Sequence, residues 1–356
     1  MNLPISGLTL LVMVLFLNVK YKRDPTWKHS LARIDYLGNA IFIPSIIAVL
    51  IGLVLGGSVY SWSSFRLIVP LVLGLVGWAC FHIHQASSLC PEPSVPPHLF
   101  ANRTSAIGFV LGFISSMLLE WVVYFLPIYL MAVVGASPLQ AGVYFLPYTV
   151  FVVPFGIFAG GFMSKTGLYK PLHSGGFALS AIGCGLLSML KEDSPKAEWV
   201  CFQILAAGGT GFVMTAVLPS TLAALPEKDV ATATGTYSFL RSFGFIWGIT
   251  LPGIIFNGRF DSQLHHISDQ AVRAQLSNGA AYSFATGGYI SSLPASTRGE
   301  VESVYVYALQ TVWQVAIAFS LLGFLLVFGE KYVELRKELQ TEFGLDEGNE
   351  KTVEIK

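Results

Sequence analysis

Residues 106–134 read AIGFVLGFISSMLLEWVVYFLPIYLMAVV, an apolar stretch with one charged residue, Glu120. A helix needs about 20 apolar residues to cross the roughly 30 Å hydrocarbon core of a bilayer. This stretch exceeds that length and lacks the alternation of polar and apolar residues that a membrane strand requires. The sequence therefore predicts a transmembrane helix here.

Eight further apolar stretches are long enough to cross a bilayer, at residues 3–19, 37–55, 67–83, 139–163, 172–190, 199–225, 230–256 and 304–328. We therefore predict an all-α polytopic membrane protein with about nine transmembrane helices.

The composition excludes a soluble protein. Hydrophobic residues make up 53% of the 356-residue chain and charged residues only 12%, whereas roughly 25% of the residues of soluble domains are charged. The chain contains 21 basic and 21 acidic residues, so it has no excess positive charge for binding nucleic acid. The predicted environment is the lipid bilayer.

The distribution of Lys and Arg predicts the orientation of the helices. One set of alternate loops contains most of the basic residues, namely Lys20, Lys22, Arg23, Lys28, Arg33, Arg103, Lys165, Lys170, Lys228 and those of the C-terminal tail. The opposite set contains fewer, namely Arg66, Lys191, Lys196, Arg259, Arg273 and Arg298. By the positive-inside rule, the first set and the C-terminus are cytoplasmic, and the long segment 257–303 is external.

Glu120 is the main candidate for a proton-coupling residue. It lies near the middle of its predicted helix, where an ionised carboxylate is costly and usually faces a wet cavity or the interior of the bundle. A protonated Glu120 that is hydrogen-bonded to a neighbouring helix is the alternative. Tyr124 shares a helix face with Glu120, and with Trp121 and Phe125 it is a candidate for the substrate cavity. Plain aromatic packing explains these three residues equally well.

Arg241 is the second charge inside a predicted helix. It either snorkels to the cytoplasmic interface or pairs across the bundle, for instance with a carboxylate. Gln203, Gln310 and Gln314 are polar residues on two further helices, where they either line a polar path or bond between helices. We include all four residues among the candidates for the substrate cavity.

No motif predicts a metal site or an enzyme. His82 and His84 lie on different faces of a helix, and the four cysteines lack metal-ligand spacing. The chain contains no Walker A motif, nucleophile elbow or HExxH motif. We predict no catalytic residue, no metal ligand and no cofactor, so the energy for any transport comes from an ion gradient.

Three stretches carry a family resemblance: Asn2-Leu3-Pro4-Ile5-Ser6-Gly7, the segment 124–129 (YFLPIY) with 135–142 (GASPLQAG), and the segment 233–235 (ATG) with 239–244 (FLRSFG). They resemble segments of the major facilitator superfamily, specifically of its fungal fourteen-helix drug:proton antiporter branch. The first resembles the start of that branch's sixth helix, and the second resembles its ninth helix with the turn into the tenth. The third resembles the start of its thirteenth helix.

A fourth stretch, the loop with Gly160, Ser164, Lys165 and Gly167, resembles the superfamily's Gly-x-x-x-Asp-Arg-x-Gly loop. That loop takes part in the conformational change of these transporters. Ser164 stands where Asp is usual, and Lys165 stands where Arg is usual. The resemblance implies the same conformational role here, with a different charge pattern.

The resemblance implies a domain organisation. Residues 1–19 would be the last helix of an N-terminal six-helix half, and residues 20–104 a basic loop, two additional helices and a Pro-rich loop. Residues 105–330 would form the C-terminal six-helix half, including the external loop 257–303, and residues 331–356 a charged cytoplasmic tail. By the family's layout, the helices at 106–134 and 199–225 would line a central cavity between the halves.

The resemblance also implies a function: a secondary active transporter that exports small hydrophobic or amphipathic compounds, such as drugs, toxins or fungal metabolites, by proton antiport and alternating access. The alternative is an N-terminally truncated or mispredicted fragment of such an exporter, without transport activity of its own. Coding sequence upstream of Met1 would distinguish the two. A non-transporting membrane receptor ranks below both, and an intramembrane enzyme ranks lowest.

The expected surroundings follow from the same resemblance. We expect the chain in the plasma membrane or the vacuolar membrane, with a small-molecule substrate and the proton gradient as its energy source. We expect no nucleic-acid partner and no obligate protein partner.

Overall fold

The structure is a computed structural model that describes residues 2–16, 26, 31, 34–56, 60–90, 93–285 and 287–335. The chain divides into two units, residues 1–34 with 336–356, and residues 35–335. The first unit contains α1 (Asn2–Phe16), an apolar helix. The basic loop and the charged tail predicted in this unit lie largely outside the described residues.

The second unit consists of helices and the loops that join them, without a β-strand among its described residues. It begins with a helical hairpin, α2 (Tyr36–Leu55) and α3 (Phe65–Gln85), and a 3₁₀ turn at Pro97–Phe100. The remaining helices are α4 (Arg103–Ala132), α5 (Pro138–Thr166), α6 (Lys170–Leu187), α7 (Lys196–Ala223), α8 (Val230–Gln263), the short α9 (Gln270–Leu276), α10 (Ala281–Phe284) and α11 (Gly287–Ser292), and α12 (Ala295–Val327).

Seven helices in the described part of the chain are long and apolar enough to cross a membrane: α2, α3, α4, α5, α7, α8 and α12. The predicted transmembrane helices are confirmed at these seven places. Helices also form within the predicted stretches 3–19 and 172–190, where α1 has 15 residues and α6 has 18, while residues 17–19 lie outside the described part of the chain. α6 is also less apolar because it begins with Lys170 and includes His173 and Ser174.

α4 and α7 are the most enclosed of the long helices. About 61% of the apolar stretch of α4 and 56% of that of α7 are buried, against 11% for α5. α4 packs against α7, α8 and α12, while α7 also packs against α5 and α6. Both helices that the family resemblance assigned to the central cavity are therefore at the centre of this bundle.

Small residues bring α4 and α8 together, as their four-residue spacing predicts. A Cβ atom at Gly244 would lie 2.5 Å from the carbonyl oxygen of Phe113, and one at Gly248 would overlap the carbonyl oxygen of Met117. Because both contacts advance in the same direction along the two helices, α4 and α8 run parallel. We call this contact the α4–α8 seam.

Hydrogen bonds show which loops share an end of the bundle. Thr104 at the start of α4 bonds to the backbone of Lys331 after α12, and Lys170 Nζ donates to the carbonyl oxygen of Glu330 at 2.8 Å. At the opposite end, Tyr129 donates to the carbonyl oxygen of Lys191 at 2.8 Å. The starts of α4 and α6 and the segment after α12 thus lie together at one end of the bundle, and the loop between α6 and α7 lies at the other, as the predicted alternation requires.

The segment 257–303, predicted as a loop, is largely helical. α8 continues to Gln263, α12 begins at Ala295, and three short helices lie between them. Phe260 explains part of the extension of α8, because its ring packs edge-on against Tyr305 of α12 at 4.8 Å, four residues beyond the predicted apolar stretch 230–256. The polar composition of this segment therefore marked the end of the apolar stretch and not the end of the helix.

Candidate transport site

Glu120 lies on α4 at the α4–α8 seam. Its side chain is half-buried, and no described residue hydrogen-bonds to its carboxylate. A Cβ atom at Gly248 would lie 2.8 Å from the Cβ atom of Glu120, so α8 passes directly beside it. The predicted alternative, a Glu120 hydrogen-bonded to a neighbouring helix, has no such bond among the described residues.

Arg241 of α8 contacts the same seam at Ser116, one helical turn before Glu120 on α4. Its Nε donates to Ser116 Oγ at 3.3 Å, and its guanidinium lies over the rings of Tyr237 and Phe245 at 5.8 and 5.7 Å. No carboxylate in the described part of the chain lies within ion-pair distance of it. The seam therefore contains both charges that stood out in the apolar stretches, without pairing them.

The aromatic residues that follow Glu120 face different ways. Tyr124 is 39% exposed and, one turn beyond Glu120, lies on the same face of α4. Trp121 and Phe125 are fully buried, against Phe319 of α12 at 5.8 Å and Phe256 of α8 at 6.0 Å. The open face of α4 thus includes Glu120 and Tyr124, while Trp121 and Phe125 belong to the core of the bundle.

The three predicted glutamines lie on two helices, Gln203 on α7 and Gln310 with Gln314 on α12. Gln203 is buried between α7 and α5, where its Nε2 donates to the carbonyl oxygen of Tyr144 at 3.1 Å and its Oε1 has no described partner. On α12, Gln310 is half-buried and Gln314 is exposed on a face shared with the exposed Leu321. No hydrogen bond joins any of them to Glu120 in the described part of the chain.

The predicted conformational loop ends α5. Gly167 has φ +71° and ends the helix in the left-handed conformation that favours glycine. Ser164 and Lys165 are exposed, and Gly160 packs near Thr215 of α7. The hydrogen bonds that join this end of α5 to the C-terminal segment come from residues after Gly167.

Tyr169 is the first residue after Gly167 that bonds to the C-terminal segment. Its hydroxyl donates to the carbonyl oxygen of Lys331 at 3.0 Å and accepts from the backbone N–H of Val333 at 2.8 Å. Its ring stacks on that of Tyr332 at 6.0 Å. Burial raises the pKa of the Tyr169 phenol above its ordinary value.

His173 also bonds to the C-terminal segment, through Glu330. Its Nδ1 lies 3.0 Å from both carboxylate oxygens of Glu330, and its Nε2 faces Ser220 Oγ of α7 at 3.5 Å. The side chains of His173 and Glu330 are 0% and 1% exposed. We call Tyr169, Lys170 and His173, with the segment 330–333 that they hold, the C-terminal clasp. Sequence reasoning missed it because its two parts are about 160 residues apart.

An aromatic cavity lies between the α2–α3 hairpin and α8. Its volume is about 430 Å³, and its lining is almost entirely apolar. Phe42 contacts Phe81 and Phe239 with ring centroids 4.8 and 5.3 Å apart, and Trp78 contacts Phe243 edge-on at 6.1 Å. Cavities of this size and lining commonly hold small apolar ligands.

A second, smaller cavity lies farther along α8. It measures about 260 Å³ and includes Phe125, Thr250, Asn257 and Tyr282 in its lining. Asn257 Oδ1 is buried without a described partner. This lining is more polar than that of the aromatic cavity.

Comparisons with known proteins agree with this architecture. The family model for the Major Facilitator Superfamily matches residues 38–249. The chain is 50% identical over 349 residues to the MFS efflux transporter aclA of Aspergillus oryzae. The matched region makes up 98% of this chain and 63% of that protein.

Two further relatives are similar to the chain over nearly its whole length. They are the MFS-type transporter gkaD of Penicillium citrinum, 45% identical over 99% of this chain, and an MFS-type efflux pump of a Fusarium species, 47% identical over 97%. The matched regions make up 60% and 62% of these two proteins. The chain thus spans just over three fifths of the length of the curated relatives that it matches.

Proposed function

The chain belongs to the Major Facilitator Superfamily, and on this basis we propose that it forms part of a secondary active transporter that exports small hydrophobic compounds in exchange for protons. α4 to α8 and α12 would form one six-helix half of the transporter. This half would rock against a second half and open the site to each side of the membrane in turn.

Glu120 is the observation that carries the proton-coupling proposal. A half-buried carboxylate without a described partner, in the middle of an apolar helix, can bind a proton when it faces the membrane interior and release it when it faces water. Because Tyr124 shares its face, a compound bound on this face would lie close to the titrating carboxylate. Exchange of compound for proton would follow from this proximity.

The direction of transport and the class of compound are supported by two separate facts. Two of the relatives carry the word efflux in their names, which favours export. The aromatic cavity favours apolar compounds with flat rings, because aromatic side chains bind such rings by offset stacking and edge-on contact. Hydrophobic fungal metabolites and drugs fit this description.

The cellular setting is also part of the proposal. The chain would lie in the plasma membrane or the vacuolar membrane, with the clasp end in the cytoplasm, because the positive-inside rule places Lys165, Lys170 and Lys228 there. The proton gradient would supply the energy. No cofactor and no obligate protein partner are needed for this mechanism.

A whole-cell efflux assay tests the proposal. The complete protein that carries these residues is expressed in a yeast strain that lacks its own drug exporters, and the accumulation of a panel of hydrophobic dyes, including rhodamine 6G, is measured. We expect lower accumulation than in the strain without the gene, and we expect a protonophore to abolish the difference. Equal accumulation of every dye, or efflux that is insensitive to the protonophore, would contradict the proposal.

A further inference from the structure

Three potential metal ligands converge at the base of the α2–α3 hairpin. Asp35 precedes α2, His84 lies in the last turn of α3, and Cys90 follows α3. One ligand atom from each residue lies within 4.8 Å of the other two. His84 Nε2 is 3.1 Å from Asp35 Oδ1, and Cys90 Sγ completes the cluster.

These three side chains are nearly enclosed. The side chains of Asp35 and His84 are 5% and 10% exposed, and Cys90 is buried at 9%. Burial of a carboxylate, an imidazole and a thiol together is costly unless they are hydrogen-bonded or bound to a metal. Their enclosure favours a specific role over chance proximity on a surface.

We propose that Asp35, His84 and Cys90 bind a divalent transition-metal ion, and that Zn²⁺ is the ion this ligand set suits best. Zn²⁺ accepts sulfur, nitrogen and oxygen ligands at about 2.0–2.3 Å, which puts ligand atoms roughly 3.5 Å apart in a tetrahedral site. The 3.1 Å between His84 Nε2 and Asp35 Oδ1 would widen slightly, and the longest separation, at most 4.8 Å, would shrink by about an ångström to reach this geometry. Water would be the fourth ligand.

A second group of contacts orients the carboxylate. Gln85 donates through Nε2 to Asp35 Oδ2, while its Oε1 accepts from the backbone N–H of Val95 at 3.0 Å. The backbone N–H of Gly38 donates to Asp35 Oδ1 at 2.7 Å. Partners of this kind hold metal-binding carboxylates in position, and their loss typically weakens metal binding roughly 10–100-fold.

The proton balance of the binding step is simple. The Cys90 thiol loses its proton to solvent and binds as a thiolate, and His84 binds through Nε2 while its remaining proton moves to Nδ1. Asp35 binds as a carboxylate, so one proton is released for each ion bound. No oxidation or reduction takes place.

The bound ion would fasten three segments that are otherwise held by hydrogen bonds. It would tie the start of α2 to the end of α3 and to the segment that leads to the 3₁₀ turn at Pro97–Phe100. The aromatic cavity borders the same region, since Gln85 and Pro97 are part of its lining. A metal at this place would therefore stabilise the hairpin that forms one wall of the cavity.

Zinc retention by the purified chain tests the site and does not require transport. The full chain in detergent is incubated with Zn²⁺ and passed through a desalting column, and bound zinc is measured by mass spectrometry. The test variants are Cys90→Ser and His84→Ala. Matched controls are Cys80→Ser and His82→Ala, which alter the same residue types on α3 outside the cluster.

We expect the unchanged chain and both controls to retain about one zinc per chain, and both test variants to bind at least roughly tenfold more weakly. Co²⁺ provides a second readout, because a thiolate ligand produces a charge-transfer absorption that Cys90→Ser would abolish and Cys80→Ser would keep. We also expect added Zn²⁺ to raise the melting temperature of the unchanged chain and the controls only.

The proposal is wrong if the unchanged chain retains no zinc, or if Cys90→Ser and His84→Ala retain as much as it does. Either result would identify the cluster as a hydrogen-bonded junction without a metal. Because Cys90→Ser keeps a small hydroxyl donor for Asp35, its fold is expected to survive and its zinc content to be interpretable.

Discussion

Arg241 Nε lies 3.3 Å from Ser116 Oγ, so the single charged residue in the middle of α8 is held by a neutral hydroxyl on α4. Ser116 is one helical turn before Glu120 on the same helix. The positive and the negative charge of the α4–α8 seam are thus neighbours along one face but not a pair. Proton binding at Glu120 would therefore change the net charge of the seam.

The bond between Arg241 and Ser116 is open to a double-variant test. Arg241→Lys keeps the charge but loses the planar guanidinium that bonds Ser116 and stacks on two rings. We expect Arg241→Lys and Ser116→Ala each to lower efflux roughly fivefold, equivalent to about 1 kcal/mol. If the two residues act through this bond, the double variant will be little worse than Arg241→Lys alone. Fully additive losses would show that they act separately.

The close approach of α4 and α8 predicts that alanine substitutions at two glycines of α8 differ in their effect on stability. Gly248→Ala places a methyl group against the carbonyl oxygen of Met117, and we expect a loss of about 1–3 kcal/mol in stability. Gly253→Ala is the control, because a Cβ atom there has no described heavy atom within 4 Å. Thermal unfolding in detergent measures both. Equal melting temperatures for the two variants would contradict the seam as described.

The C-terminal clasp predicts that removal of the His173 side chain strongly lowers the stability of the chain. His173→Ala leaves the buried Glu330 carboxylate without its His173 partner, and we expect it to destabilise the chain by about 3–5 kcal/mol. Lys165→Ala, at an exposed position in the preceding turn, is the control and should change stability by less than about 0.5 kcal/mol. Thermal unfolding of both purified variants decides between the outcomes. A His173→Ala variant as stable as the control would refute the clasp.

The aromatic cavity predicts that compound binding depends on Trp78. Removal of this indole opens the cavity and removes an aromatic contact, so we expect Trp78→Ala to weaken the binding of a planar apolar compound roughly tenfold, about 1.4 kcal/mol. Trp62→Ala removes an exposed indole outside this cavity and should leave affinity unchanged. Quenching of tryptophan fluorescence by the compound measures both affinities. Equal affinities would mean that the compound binds elsewhere.

The class of fold and the two charged residues could be predicted from the sequence, because both depend on local composition. A stretch of apolar residues must bury its backbone polar groups in a helix to cross a bilayer, and a charge inside that stretch is conspicuous. Glu120 and Arg241 were therefore visible without a structure. Their shared seam was not, because four-residue spacing of glycines predicts close packing without naming the partner helix.

Side-chain direction and long-range assembly account for what the sequence could not predict. Trp121 and Tyr124 are three residues apart in one aromatic run, yet Trp121 is buried and Tyr124 is exposed, because only a narrow face of α4 is open. The predicted absence of metal ligands rested on spacing along the chain, whereas His84 meets a carboxylate 49 residues earlier. Contacts of this kind depend on how the hairpin closes.

The most direct test of the account is proton-coupled transport by the Glu120→Gln variant. The complete protein that carries these residues is reconstituted in liposomes, and uptake of a hydrophobic substrate is measured with and without an imposed pH gradient. Glu192→Gln, at an exposed position outside the membrane-spanning helices, is the matched control. We predict that the gradient accelerates uptake by the unchanged protein and by Glu192→Gln but not by Glu120→Gln, which still exchanges substrate down its own gradient. An undiminished response of Glu120→Gln to the pH gradient would contradict the assignment of Glu120 as the proton-coupling residue.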